Sequence, residues 1–214
     1  MNMILERELC KKKIIALFFP DFTALDAMGP LDVLGRLEGY EIHYASLSGG
    51  PVSNEKGLTL ETEALGSLER SDILLVPGGM GSRKLALDGD FLSALRRAAL
   101  ESTVVMTVCT GSALAAAAGL LDGLRATGNK KAFDWTTSMG EKVLWQRDAR
   151  WTRDGKFYTA AGVSAGIDMA LGFVADHFGR ERALSIAEGM EYCWNEKPEA
   201  GWCFKEHGKI GKMK

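Results

Sequence analysis

Short apolar runs alternate along this chain with stretches whose apolar residues recur at helical spacing, and no other feature limits the fold as tightly. Residues 14–19 (Ile14-Ile15-Ala16-Leu17-Phe18-Phe19), 41–47, 72–77 and 103–108 read as strands. Residues 90–100, 112–118 and 164–178 read as helices, and the helical pattern resumes over 181–192 beyond Gly179. Residues 23–37 carry helical spacing that Gly29-Pro30 is expected to break or kink, and residues 134–145 predict a further helix. Residues 48–52 form a turn followed by a short hairpin or edge strand through Leu60, residues 125–127 form a short strand, and residues 151–159 predict a hairpin turning at Asp154-Gly155. Strands separated by helices of about 10–15 residues imply βαβ units and a mostly parallel sheet covered on both faces. The expectation is one α/β domain, a three-layer sandwich without internal repeats or linkers.

A chain of 214 residues suits a single domain with a substantial core, here taken as 1–214 with flexible ends at 1–12 and 208–214. The formal charge of −2 gives no electrostatic case for binding nucleic acid or an anionic membrane. No apolar run approaches the ~18 residues of a membrane span, and the charged start resembles no signal peptide, so the expected location is the cytoplasm. Cysteines at 10, 109, 193 and 203 form no C-x-x-C pair, which argues against a disulfide scaffold or a structural zinc site. Cys193 and Cys203 could pair in principle, although free thiols are the simpler reading. No residue cluster implies a metal, and no cofactor is expected.

One of these cysteines stands apart. Cys109 falls where the apolar run of residues 103–108 gives way to the small-residue helical run of 112–118. A strand turning sharply into a helix presents the turn residue at the carboxyl edge of the sheet, facing the helix's unpaired N–H groups. Such surroundings lower a thiol's pKa. The arrangement is a nucleophile elbow with Cys in place of Ser. Its competitor is a buried cysteine acting as a small hydrophobe.

In open α/β sheets function collects at the carboxyl ends of strands. Asp21 and Asp26 follow the first strand, Pro77-Gly78-Gly79-Met80-Gly81 follows the third, and Cys109-Thr110 follows the elbow strand. Gly78 and Gly79 let backbone N–H groups approach a ligand, as an oxyanion hole requires, and the Thr110 amide is another natural donor. Phe22, Met80 and Trp135 are candidate apolar pocket walls. Asp168, early in its helix, is expected to bind free N–H groups of the first turn.

Four ordered stretches carry a resemblance: residues 22–30 (Phe22-Thr23-Ala24-Leu25-Asp26-Ala27-Met28-Gly29-Pro30), Leu74-Leu75-Val76-Pro77-Gly78-Gly79, Val108-Cys109-Thr110-Gly111-Ser112, and residues 164–171 (Ser164-Ala165-Gly166-Ile167-Asp168-Met169-Ala170-Leu171). Together they resemble the ThiJ/PfpI superfamily, whose fold is flavodoxin-like, of the class I glutamine amidotransferase type. Leu-Asp-x-x-Gly-Pro paired with Cys-Thr-Gly-Ser looks most like the isonitrile hydratase branch, a pairing shared with the amidase-like domains of AraC-type regulators. The resemblance implies a homodimer and a cofactor-independent hydro-lyase: Cys109 as nucleophile, Asp26 as acid/base, Thr110 as a neighbouring contact, and an isonitrile converted to an N-substituted formamide. Asp21 and Asp32 are rivals for the acid role, and only motif register favours Asp26. Many superfamily members carry a His 20 residues after the Cys, where this chain has Asn129. Asn shuttles no proton at neutral pH, which weakens readings that need a Cys–His dyad. His43, His177 and His207 are poor substitutes by position. The alternatives are a glyoxalase- or deglycase-like enzyme acting on reactive aldehydes, and a non-enzymatic cysteine oxidation sensor.

Overall fold

In a computed structural model of the chain, residues 11–68 and 70–199 are described. The expected flexible tail at 208–214, most of the end at 1–12, and Cys10, Cys203 and His207 lie outside them. The first strand, β1 (Lys12–Leu17), is followed by helix α1 (Ala24–Leu34), β2 (Tyr40–Ser46), β3 (Gly50–Ser53), β4 (Thr59–Ala64) and β5 (Ile73–Val76). Then come α2 (Ser82–Leu85), α3 (Gly89–Glu101), β6 (Val104–Val108), α4 (Gly111–Ala117), β7 (Arg125–Ala126), α5 (Phe133–Ser138) and β8 (Leu144–Trp145). The described chain finishes with β9 (Trp151–Asp154), β10 (Phe157–Ala160), α6 (Ala165–Phe178) and α7 (Arg180–Gly189).

Eight strands form one sheet in the order β3-β4-β2-β1-β5-β6-β10-β9. The six strands from β4 to β10 run parallel, and β3 and β9 are antiparallel at the two edges. Strands β5, β6 and β10 are buried along their whole length, as expected of parallel strands covered on both faces. Helix α6 contacts α1 and α7, and α4 contacts α2, α3 and α5, giving the outer layers of a flavodoxin-like α/β sandwich. From β1 the chain moves outward to β2, then returns to place β5 on the other side of β1. The topological switch point therefore lies between the carboxyl ends of β1 and β5.

Two expectations for the helices are corrected. Helix α1 passes through Gly29-Pro30 without a break. Proline removes one backbone donor, but close packing against α6 compensates. A Cβ on Gly29 would sit 2.8 Å from Ile167 Cγ1, and one on Gly166 would sit 3.0 Å from Pro30 Cγ. The helix expected over 134–145 ends at Ser138. A Cβ on Gly140 would lie 2.9 Å from Ala116 Cβ, and Leu144 N–H and Gln146 N–H donate to Leu124 O and Ala126 O at 2.9 and 2.8 Å. The segment thus becomes β8, paired with β7 in a small parallel sheet.

Candidate functional site

Four strand ends and one loop meet at Cys109. β6 ends at Val108, and the ladder continues one residue further, Cys109 N–H donating to Ala160 O at 3.0 Å. Cys109 itself takes φ 62°, a left-handed conformation that costs a non-glycine residue on the order of 1–3 kcal/mol and persists only where its surroundings enforce it. The bend turns the sulfur toward the end of β1, where Asp26 occupies the first turn of α1.

Asp26 is fully buried. Its Oδ2 accepts from Gly78 N–H and its Oδ1 from Val163 N–H, both at 3.1 Å, and the carboxyl also shares a hydrogen bond with the Cys109 thiol. Burial pushes its pKa up to about 6, against the opposing pull of the thiol and the two amides. The rival acids are elsewhere: Asp21 is exposed, and Asp32 pairs with Arg36 at 3.2 Å on an exposed turn of α1.

The thiol's electrostatics differ from expectation. Burial, followed by the charge of Asp26, pushes Cys109 up to about 12, overriding hydrogen bonds from Asn129 and the Thr110 amide that favour the thiolate. Desolvation outweighs the helix end here because the residue is only 6% exposed. In the resting site the proton stays on sulfur, beside the Asp26 carboxyl.

The glycines also serve differently from the expected oxyanion hole. Gly78 N–H is taken by Asp26, and Gly79 N–H is taken by Thr110 Oγ1 at 2.9 Å. The Thr110 hydroxyl in turn donates to Gly79 O at 3.2 Å, so its side chain clamps the glycine loop. A Cβ on Gly78 would lie 2.5 Å from Thr110 N and 2.9 Å from Asp26 Oδ2, which is why only glycine fits there. The donors facing sulfur are the Thr110 amide and Asn129 Nδ2 at 2.9 Å.

Asn129 is the residue that sequence reasoning undervalued. Its Oδ1 accepts from Ala132 N–H at 2.9 Å, which fixes the amide so that the NH2 group faces sulfur. The 20-residue spacing after Cys109 marked the position, but only as a missing base. Val163 had no comparable signal; it holds Asp26 through a backbone N–H at φ 47°.

The other singled-out residues are placed as follows. Phe22 is core, edge-on to Phe18 at 4.9 Å, whereas Met80 is 63% exposed and Trp135 half-buried. Asp168 does not cap its helix. It is buried and accepts from Arg150 Nε at 2.5 Å, Tyr192 OH at 3.1 Å and Asn195 N–H at 2.9 Å. His43 lies between Glu41 and Glu63 on β2 and β4, and His177 lies beside the Tyr158 hydroxyl. Cys193 is free and exposed.

Comparison with known proteins places the chain among several relatives. Isonitrile hydratase from Pseudomonas putida is 36% identical over 82% of this chain and 76% of its own length. The HTH-type transcriptional regulator CdhR from Pseudomonas aeruginosa is 30% identical over 80% of this chain but only 52% of its own. Deglycase PH1704 from Pyrococcus horikoshii is 25% identical over 54% of this chain and 70% of its own. A crystal structure of a ThiJ/PfpI family protein from Pseudomonas syringae superposes with a TM-score of 0.79, at 30% identity over 86% of this chain and 76% of that one. Drosophila melanogaster DJ-1beta shares the fold, with a TM-score of 0.74 and 20% identity over 86% of this chain and 100% of that one. The model of the DJ-1/PfpI family matches residues 12–176, from β1 to the last turns of α6, and the chain belongs to that family.

Proposed function

We propose that the chain is a cofactor-independent isonitrile hydratase. The observation that carries this reading is a protonated, buried thiol hydrogen-bonded to an equally buried carboxylate, with an amide donor in place of a second base on the far side of the sulfur. The similarity to an isonitrile hydratase supports the substrate class.

An isonitrile's terminal carbon accepts both a nucleophile and a proton. Asp26 takes the Cys109 proton as sulfur bonds to that carbon, then delivers it to the same carbon, giving a thioimidate on Cys109. Asp26, ionised again, removes a proton from an incoming water as its oxygen adds to the thioimidate carbon, and passes that proton to the nitrogen. As the C–S bond breaks and the carbonyl forms, Asp26 carries the hydroxyl proton to the departing sulfur, which returns the thiol and releases the N-substituted formamide. The net change is addition of one water. Asn129 Nδ2 and the Thr110 amide stabilise negative charge on sulfur as it develops.

Incubation with an alkyl isonitrile should yield formamide with the native chain and none with Cys109→Ala; no formamide from the native chain would overturn the proposal. Methylglyoxal, offered in parallel, tests the aldehyde reading. That reading is disfavoured because Asn129 supplies no proton shuttle, and lactate formation would favour it. A sensor role is disfavoured because a thiol held protonated oxidises slowly. A homodimer, carried over from the family resemblance, belongs to the same proposal, and light scattering should then give twice the chain mass.

A further inference from the structure

Two loops flank the elbow, one bonded to Thr110 and the other to the Cys109 sulfur, and they meet again through their short helices. The loop after β5 touches the elbow through Gly79 and Thr110, runs through the exposed Met80, and enters α2, whose second residue is Arg83. The loop after β7 touches the sulfur through Asn129 and enters α5, whose third residue is Trp135. Arg83 Cζ then lies 4.1 Å from the centroid of the Trp135 ring. Thr110, Gly79, Arg83, Trp135, Asn129 and Cys109 thus form a closed circuit, with the Arg83–Trp135 contact as its outer arc.

The charge on Arg83 is uncompensated. The residue is exposed, and among the described residues no carboxylate pairs with it. Arg147 offers a contrast: it stacks on Phe133 of the same short helix at 4.6 Å but is paired with Asp134. Cation–π attraction to Trp135 consumes none of the guanidinium's five N–H donors, and their fork matches the two oxygens of a carboxylate. At the base of the site the Asp26 carboxylate repels an anion from the sulfur. An anionic group is therefore favoured at the outer arc and disfavoured at the floor. That gradient orients a molecule whose electrophilic carbon is uncharged.

We propose that Arg83, held on the Trp135 ring, is the specificity-determining residue of the site, and that the preferred substrates carry a carboxylate several bonds from the carbon that Cys109 attacks. The substrate class rests on the hydratase reading; the anion selectivity rests only on access to Cys109.

The test compares each acid with its own methyl ester. For isocyanoalkanoates of two to six carbons, the acid-to-ester ratio of kcat/KM should exceed one in the native chain. It should fall at least tenfold in Arg83→Gln, recover partly in Arg83→Lys, and fall by an intermediate amount in Trp135→Leu. The second arm needs no turnover: alkylation of Cys109 by 3-maleimidopropionate and by its methyl ester, followed by mass spectrometry. There sulfur bonds to one alkene carbon and the proton leaving the thiol ends on the other. The acid-to-ester rate ratio should again fall in Arg83→Gln. An unchanged ratio in both arms overturns the proposal. Failure of every isonitrile to react, with an Arg83-dependent maleimide ratio, overturns the hydratase reading and leaves the anion selectivity standing.

Discussion

At neutral pH a thiol pushed up to about 12 presents almost no thiolate, so the proposed mechanism has the sulfur lose its proton to Asp26 within the attacking step itself. Asp26, pushed up to about 6, is mostly ionised at pH 7. The kcat/KM profile should therefore be flat above about pH 7 and fall as pH drops through 6, without the rise near pH 8–9 that an ordinary cysteine gives. Asp26→Asn should lower kcat by about 10²–10⁴-fold, with the acid limb abolished. Stability carries the same signature. The native carboxyl holds its proton more tightly than the unfolded one, so its contribution is fully present below pH 3.8 and is lost as pH rises through about 6. The change amounts to roughly 2–3 kcal/mol. Urea unfolding at pH 4, 5, 6 and 7 should show that decline in the native chain and a flatter series in Asp26→Asn. Motif register singled out Cys109 and Asp26 in the sequence, but the direction of the thiol's shift depends on burial, which spacing along the chain does not encode. Gly78 and Gly79 were recognisable as a backbone approach. That Asp26 and Thr110 occupy their N–H groups required the fold.

Single elements account for much of the positioning. Strands β1, β2, β5 and β6 and helices α3, α4 and α6 match their sequence patterns to within about two residues at each end, the uncertainty of any boundary assignment. The misread elements, α1 across Pro30 and α5 truncated at Ser138, are those whose outcome was decided by contact with another element. Asp168 belongs with them. It ties α6 to residues 192–195 and to Arg150, whose backbone N–H donates to Pro198 O and whose carbonyl accepts from Ala161 N–H. Because Asp168 is buried and its partner Arg150 mostly so, Asp168→Ala strands a charge and should destabilise the protein by about 3 kcal/mol, measured by thermal or urea unfolding. Substitution at Gly78 should act differently. Gly78→Ala drives a Cβ toward the backbone nitrogen and the Oγ1 of Thr110, so the loop must shift, and turnover should be lost while the far-UV spectrum is retained.

Across the whole molecule, the sheet order places the switch point beside Asp26 and the glycine loop, while β6 and β10 bring in Cys109 and Val163 from one side. The order of the motifs along the chain made that architecture legible in advance. The small β7–β8 sheet, which carries the segment leading to Asn129, was legible only in its first strand. Backbone amides of β1, β5 and β6 should exchange with deuterium most slowly, and those of the β3–β4 edge pair first, since protection follows burial. The Asp26–Val163 contact spans 137 positions of sequence, so the reacting groups exist as a unit only once β10 has docked. In a refolding experiment, catalytic competence should return no earlier than the slowest recovery of native fluorescence. A nascent chain halted before residue 163 should be inert, however much of its sheet has formed.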